Sequence, residues 1–224
     1  FRQPFPETAD AVFAAGAPPC IVVYVDAWTS YGGSQFVDSP GTGNYHSYLC
    51  DEVVTFVDAR YRTIADRESR AIAGKSSGGY GAMITPMLRP DVFGALATHA
   101  GDALYELCYV PEFAAVVRAL RSWDGNPHAW WADFQSRTSF TRPEDEVLLG
   151  MYGVAACFSA EADGTPVLPF DPTKVLSVAG GVVIQIGERI EVLRDDGLPV
   201  RVIFDKVPPN LRARPTLSVT VESK

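Results

Sequence analysis

Residues 70–79 read RAIAGKSSGG, and this stretch decides the fold. It places a G-x-S-x-G motif, with Ser76 at its centre, directly after a short apolar segment. A strand that turns sharply into a helix at such a serine is a nucleophile elbow, and small residues two positions to either side leave room for the turn. The pattern predicts that Ser76 presents its hydroxyl above a sheet, with the backbone N–H of Ser77 facing the oxyanion that forms when a carbonyl is attacked. The alternative interpretation is a small-residue turn that carries no chemistry.

Apolar segments and helical segments alternate on both sides of this motif. Residues 20–25 (CIVVYV) form a continuous β-branched run, which is typical of a parallel strand buried on both faces. Asn44 can cap a helix over residues 45–61, whose apolar side chains recur at helical spacing. A helix through Leu88 and a third strand over residues 94–98 follow the motif. This alternation predicts an α/β fold with a doubly wound, mostly parallel sheet.

Four segments also carry a resemblance to a known family. They are residues 38–45 (DSPGTGNY), 57–63 (VDARYRT), 71–82 (AIAGKSSGGYGA) and 99–102 (HAGD). From about Phe5 to about Asp171 the sequence resembles the esterase D-like branch, or putative-esterase family, of the α/β-hydrolase superfamily. The resemblance implies an incomplete α/β-hydrolase-like fold and a serine carboxylesterase acting on a small or aryl ester through Ser76, with no metal or organic cofactor.

The sequence departs from that family near both ends. It lacks the His-Gly loop that supplies the family's second oxyanion N–H, and no histidine follows His128 where the family carries its triad histidine. His99, directly after the third predicted strand, is a candidate substitute base or a residue that holds a loop. Asp102 either orients His99 or caps a helix that begins near Leu104.

These departures leave two further functions open. One is a non-catalytic α/β-hydrolase-like binding protein, or a remnant, that keeps the elbow but not the machinery around it. The other is an acyltransferase, because relatives in the family move acyl groups to sugars or alcohols. In each case the expected partner is a small molecule.

Two regions are predicted from the patterning. Residues 1–174 form the esterase-like domain, with an aromatic cap or lid at about 105–160 that includes an amphipathic helix over residues 111–120. The aromatic residues of the cap either pack its core or line an acyl or aryl pocket. Residues 175–224 form a β-rich segment unlike the family. Its predicted strands are residues 182–186, 189–193, 198–204 and 217–221, with a turn at Asp195-Asp196-Gly197.

Composition narrows the class of protein without identifying a substrate. The net charge of −8 and the isoelectric point near 4.9 argue against nucleic acid or an anionic membrane as a partner. No apolar stretch approaches the length of a membrane span, and the first residues do not resemble a signal peptide. The four cysteines are widely spaced, which favours buried reduced thiols in a bacterial cytoplasmic enzyme over a disulfide framework or a zinc site.

Self-association is the last expectation. A sheet that lacks strands beside residues 20–25 presents an unpaired β-branched edge, which is a template for pairing with another chain. The chain is 47% hydrophobic, more than an incomplete sheet readily covers. We therefore expect a homo-oligomer formed through this edge or through residues 182–204.

Overall fold

The computed structural model describes residues 4–172 with their side chains, and the backbone of strands at 176–178, 181–186, 189–194, 202–203 and 220–221. The helices are α1 (Phe5–Ala14), α2 (Tyr45–Ser47), α3 (Val54–Arg60), α4 (Ser77–Leu88), α5 (Tyr105–Cys108), α6 (Phe113–Leu120), α7 (Pro127–Ser136) and α8 (Asp145–Phe158). The strands are β1 (Trp28–Thr29), β2 (Gly32–Gly33), β3 (Asp38–Ser39), β4 (Gly43–Asn44), β5 (Ala71–Lys75), β6 (Ala95–His99), β7 (Leu176–Val178), β8 (Gly181–Ile186), β9 (Arg189–Arg194), β10 (Val202–Ile203) and β11 (Thr220–Val221).

The unit β5–α4–β6 positions the predicted site. The two strands pair in parallel from Ala71 opposite Ala95 to Lys75 opposite His99. Helix α4 connects them, as the alternation around the motif predicted, because parallel neighbours need a crossover connection. The strand expected at residues 70–73 runs two residues further, to Lys75, and the strand expected at 94–98 ends at His99.

The strand predicted at residues 20–25 is wrong. This segment belongs to no sheet of the described chain, and residues 18–25 make no backbone hydrogen bond to any described residue. A strand exists only where a neighbour accepts and donates its backbone hydrogen bonds. Here a cavity of about 1070 Å³ lies between the segment and residues 71–73 of β5. The described parallel sheet therefore has two strands, fewer than the doubly wound sheet that the alternation predicted.

A continuous helical stretch precedes β5. It runs from α2 through a π-helical turn at Tyr48–Val53 into α3, close to the predicted span of residues 45–61. Asn44 stands before its first turn, but its side chain makes no capping hydrogen bond. Asp38 takes that role instead, because its carboxylate accepts from the Ser47 N–H at 2.9 Å and from the Ser47 hydroxyl at 2.6 Å.

The largest core of the described chain lies among α6, α7 and α8 rather than against the sheet. The predicted amphipathic helix is confirmed as α6, which buries Phe113, Val116 and Leu120. Trp130 has no exposed surface, and Trp123 and Trp131 are partly buried against the same core. These three tryptophans thus pack in the core, which was one of the two predicted roles, whereas Phe140 is 59% exposed.

One buried carboxylate ties this helical region together. Asp145 has no exposed surface and accepts from the Arg137 guanidinium at 2.5 and 2.7 Å and from the Trp130 indole at 3.2 Å. The backbone N–H groups of Thr141 and Arg142 also donate to it. The hydrogen bonds from Arg137 hold the pKa of Asp145 below its usual range, against the effect of burial. A single charge therefore joins α7, α8 and the loop between them.

Antiparallel strands occupy the last part of the chain. Strands β7, β8 and β9 form one sheet, which confirms the strands predicted at residues 182–186 and 189–193. Strand β10 pairs with β11, inside the segments predicted as the two last strands. The predicted turn at residues 195–197 lies outside the described residues.

We expect Asp145→Asn to lower the free energy of unfolding by about 3–5 kcal/mol, because it removes the charge from a fully buried carboxylate and leaves Arg137 only its longer contact with Asp133, at 3.3 Å. Asp91→Asn, which removes one of the two exposed partners of Arg89, is the matched control and should change little. Denaturant unfolding at pH 7 measures both.

The pH dependence has a defined sign. Because the folded-state pKa of Asp145 is lowered, its contribution is present above the unfolded carboxyl pKa of about 3.9 and disappears as the pH falls through the folded-state value. The difference in stability between the parent and Asp145→Asn should therefore shrink below pH 4. A constant difference would contradict this account of the ion pair.

Candidate active site

Ser76 has the backbone conformation of an elbow. Its φ of 55° and ψ of −124° lie in a region that a non-glycine residue rarely adopts, at a cost of about 1–3 kcal/mol. Two hydrogen bonds hold it there: the Ser76 N–H donates to the His99 carbonyl at 3.0 Å, and the Tyr80 N–H donates to the Ser76 carbonyl at 2.9 Å. The residue is exposed. The turn from β5 into α4 thus presents a serine side chain to solvent.

The glycines of the motif are not equivalent. A methyl group at Gly74 would overlap the backbone carbonyl of Gly78, so only glycine fits before the serine. A methyl group at Gly78 would meet nothing within 4 Å. The expectation that both flanking positions must lack a Cβ is therefore confirmed for Gly74 and wrong for Gly78.

The end of β6 packs closely against the first turn of α4 and is hydrogen-bonded to it. The Thr98 hydroxyl donates to the Gly79 carbonyl at 2.8 Å. A methyl group at Gly79 would lie 2.9 Å from the His99 carbonyl oxygen, so glycine is required for this approach. These contacts from β6 hold the elbow in addition to the close approach at Gly74.

Ser77 begins helix α4, where backbone N–H groups have no partner within the helix. Its N–H makes no hydrogen bond to the described residues. The partial positive charge of a helix N-terminus favours an anion at this position. The hairpin β1–β2 lies beside the elbow, since a methyl group at Gly33 would stand 3.8 Å from the Ser77 hydroxyl oxygen.

The histidines have separate surroundings. The His99 imidazole is exposed and makes no hydrogen bond to the described residues, so this residue contributes only its carbonyl to the elbow. His46 lies 3.8 Å from the Cys50 sulfur, and His128 Nδ1 lies 2.9 Å from the Tyr152 hydroxyl. The Ser76 hydroxyl makes no hydrogen bond to the described residues. The structure therefore places His99 next to Ser76 in the backbone without joining the two side chains.

Asp102 neither caps a helix nor orients His99. Its carboxylate accepts from the Tyr109 hydroxyl at 3.3 Å, and that hydroxyl oxygen accepts from the Gln35 amide, also at 3.3 Å. Helix α5 follows with Leu104 at its N-cap position and no side-chain cap. Burial and the charge of Asp102 raise the pKa of Tyr109, which keeps the phenol protonated as a donor.

Strained backbone gathers around the elbow, which the sequence did not reveal. Besides Ser76, the residues Gln35, Phe36 and Ala100 have φ between 49° and 55°. Phe36 packs on α4 so closely that a methyl group at Gly81 would lie 2.8 Å from its side chain. The described part of the chain has five non-glycine residues with positive φ, and four of them lie at the elbow or in the segments next to it. Such strain is concentrated at functional sites in other proteins.

The remaining candidates are structural. Cys50 and Cys157 are buried, and burial raises the pKa of each thiol to about 11, so neither is an activated nucleophile. Cys20 is exposed and Cys108 is half-buried, so the expectation of buried thiols is wrong for Cys20. Within the described residues, no three His, Cys, Asp or Glu side chains gather as metal ligands do, and no helix is long and apolar enough to cross a membrane.

Comparison with known proteins finds one matching family and two curated relatives. A family profile described as "Putative esterase" matches residues 10–149, more than half of the chain. Two curated relatives from Mycobacterium tuberculosis are Esterase MT1326 of strain CDC 1551 / Oshkosh and Esterase Rv1288 of strain ATCC 25618 / H37Rv. Each is 32% identical over 89 residues, which cover 38% of this chain. The alignment spans 19% of each relative, about a fifth of its length.

Two glycine variants test the geometry of the elbow. Gly74→Ala should destabilise the protein strongly, because strand β5 and helix α4 must separate to admit the methyl group. Gly78→Ala should leave stability unchanged or raise it by up to about 1 kcal/mol, since alanine is the better helix former. Denaturant unfolding followed by circular dichroism compares the two variants. Equal losses of stability would show that Gly74 does not lie against the Gly78 carbonyl as described.

Proposed function

The chain belongs to the putative-esterase family, and we propose that it is a serine carboxylesterase that hydrolyses small or aryl carboxylic esters. The observation that carries the proposal is the left-handed backbone of Ser76 at the junction of β5 and α4. A turn without chemistry has no need of a non-glycine residue in this conformation, and glycine would adopt it at no steric cost.

The proposed reaction passes through an acyl-enzyme. The Ser76 oxygen attacks the ester carbonyl carbon, and the resulting oxyanion accepts from the Ser77 N–H at the start of α4. The carbon–oxygen bond to the alcohol breaks, and the alcohol leaves with a proton. Water then attacks the acyl group and releases the carboxylic acid and Ser76. Each such oxyanion donor contributes about 3 kcal/mol in other enzymes.

The proton of Ser76 needs an acceptor, and we assign this role to His99. Its carbonyl accepts from the Ser76 N–H, so the two residues are adjacent, and its exposed imidazole has no hydrogen bond to the described residues that would hold it elsewhere. A base that is not oriented by a carboxylate is a weak one. Because enzymes that lose a triad member keep only about 10³–10⁴-fold acceleration over water, we expect slow turnover.

A second function has one observation in its favour. The Ser76 hydroxyl makes no hydrogen bond to the described residues, as expected for a protein that keeps the elbow and binds a small molecule without hydrolysing it. Chemical reactivity separates the two functions, since only an activated serine reacts with a fluorophosphonate.

We expect Ser76→Ala to abolish both fluorophosphonate labelling and hydrolysis of short p-nitrophenyl esters. Ser77→Ala is the matched control, because it keeps the backbone N–H and should retain at least half of each signal. Labelling is read by mass spectrometry and hydrolysis by absorbance. Labelling that persists in folded Ser76→Ala would place the nucleophile elsewhere, and a parent protein that is not labelled would support the binding function.

We expect His99→Ala to lower the kcat for ester hydrolysis at least tenfold below that of the parent protein, since general bases contribute about 10²–10⁴-fold. His46→Ala, which removes the histidine beside Cys50, is the control and should keep the parent rate. Both variants should unfold at a similar denaturant concentration. Equal rates for His99→Ala and the parent would remove His99 from the mechanism.

A further inference from the structure

Trp28 differs from the other tryptophans of the chain because its ring lies in solvent. It is 76% exposed, the largest exposed fraction of any large apolar residue in the described part of the chain. Trp123, Trp130 and Trp131 are buried or partly buried in the helical core. A single exposed apolar side chain needs no explanation by itself. What distinguishes Trp28 is where it is fixed.

Three contacts hold the backbone of Trp28. Its N–H donates to Asp26 Oδ1 at 3.1 Å, and its carbonyl accepts from the Tyr45 hydroxyl at 2.7 Å. Trp28 also pairs with Gly33 across the hairpin β1–β2. The base of the side chain is therefore fixed on an element of the fold, while the ring remains accessible.

The hairpin brings this ring close to the elbow. Opposed residues of an antiparallel pair have Cα atoms about 4.5–5.5 Å apart, so Trp28 lies beside Gly33. A methyl group at Gly33 would stand 3.8 Å from Ser77 Oγ. A methyl group at Gly32 would stand 4.0 Å from Cζ3 of the Trp28 indole, so the ring reaches across to β2. Strand β2 thus lies next to the indole at Gly32 and next to the elbow at Gly33.

We propose that Trp28 is a specificity-determining residue that stacks on an aromatic ring of the ester bound at Ser76. The inference rests on the proposed esterase function and names the substrate class of that site. Aromatic rings attract each other in offset-stacked or edge-to-face arrangements with centroids about 4.5–7 Å apart. Because positions 32 and 33 carry no side chain, strand β2 leaves room for such a ring between the indole and the elbow.

The polar groups beside Trp28 favour an aromatic ring over a sugar. A sugar that stacks on an indole also buries hydroxyl groups, which are costly to bury without hydrogen-bond partners. Asp26 Oδ1 and Thr29 Oγ1 accept from the N–H groups of Trp28 and Tyr31, and the Tyr45 hydroxyl donates to the Trp28 carbonyl. These side-chain groups already hold the hairpin together. An aromatic ring needs no such partners.

Esters that differ only in the saturation of one ring test the proposal. Methyl benzoate and methyl cyclohexanecarboxylate carry the ring on the acyl side, and phenyl acetate and cyclohexyl acetate carry it on the alcohol side. Calorimetric titration of Ser76→Ala, which should not hydrolyse the esters, measures Kd. In at least one pair the aromatic member should bind about fivefold more tightly than the saturated member.

Substitutions of Trp28 in the Ser76→Ala background locate the contact. Trp28→Leu keeps an apolar side chain without a ring, and should raise the Kd of the aromatic ester about fivefold while the Kd of its saturated partner stays within about twofold. Trp28→Phe keeps a ring and should stay within about twofold for both esters. Circular dichroism checks that each variant is folded.

Met87→Ala is the matched control. Met87 is 73% exposed and lies near the end of α4, about 15 Å along the helix from Ser77. This variant should bind all four esters like the Ser76→Ala background. A loss equal to that of Trp28→Leu would mean that any exposed apolar side chain has the same effect, and would overturn the proposal.

The role of Trp28 and the esterase function fail separately. Equal Kd values within both pairs of esters, or a Trp28→Leu variant that keeps the preference for the aromatic ester, would overturn the proposal even where Ser76 hydrolyses esters. Tighter binding of methyl 6-O-acetylglucoside than of either aromatic ester, lost in Trp28→Leu, would also overturn it and assign the indole to a sugar. Aromatic binding that depends on Trp28, in a parent protein without hydrolysis, would support the recognition and overturn the esterase function.

Discussion

The hydrogen bond from the Ser76 N–H to the His99 carbonyl is the constraint on which the site depends. It joins the end of β6 to the turn after β5, so the left-handed backbone of Ser76 is fixed by a neighbouring strand rather than by its own residue type. Gly74 leaves room for the turn, and the close approach of Gly79 to β6, with the hydrogen bond from the Thr98 hydroxyl, fixes it. Strain of this kind persists only where several contacts enforce it, and here those contacts come from three separate elements of the chain.

The sequence predicted the local structure of this unit better than the architecture around it. Ser76, β5, α4 and β6 could be predicted because the motif and its flanking apolar runs are local, and parallel pairing of β5 with β6 follows from the helix between them. Residues 20–25 could not, because a β-branched run shows the propensity for a strand but not whether a neighbour is present to pair with it. Local pattern and long-range pairing are different kinds of information.

The supports of the site were also beyond the reach of sequence patterns. The left-handed conformations of Gln35 and Phe36 have no signature, since neither residue type favours them. Asp102 lies where a helix cap is expected. Its carboxylate instead accepts a hydrogen bond from Tyr109, seven residues later in the chain. Likewise, Asp38 rather than Asn44 receives the Ser47 N–H, because the short strands β3 and β4 bring Asp38 beside the first turn of α2.

The separation of the elbow from the main core has a consequence for heating. All five residues of β6 are exposed, whereas α6 and α8 share a buried apolar core next to the buried Asp145 carboxylate. Local opening in proteins begins where few apolar contacts are buried, and the segments of lowest local stability open well below the global transition. The elbow therefore belongs to the least cooperative part of the molecule. On heating, the elbow should open before the helical signal is lost, and it should re-form on cooling as long as the helical region has stayed folded.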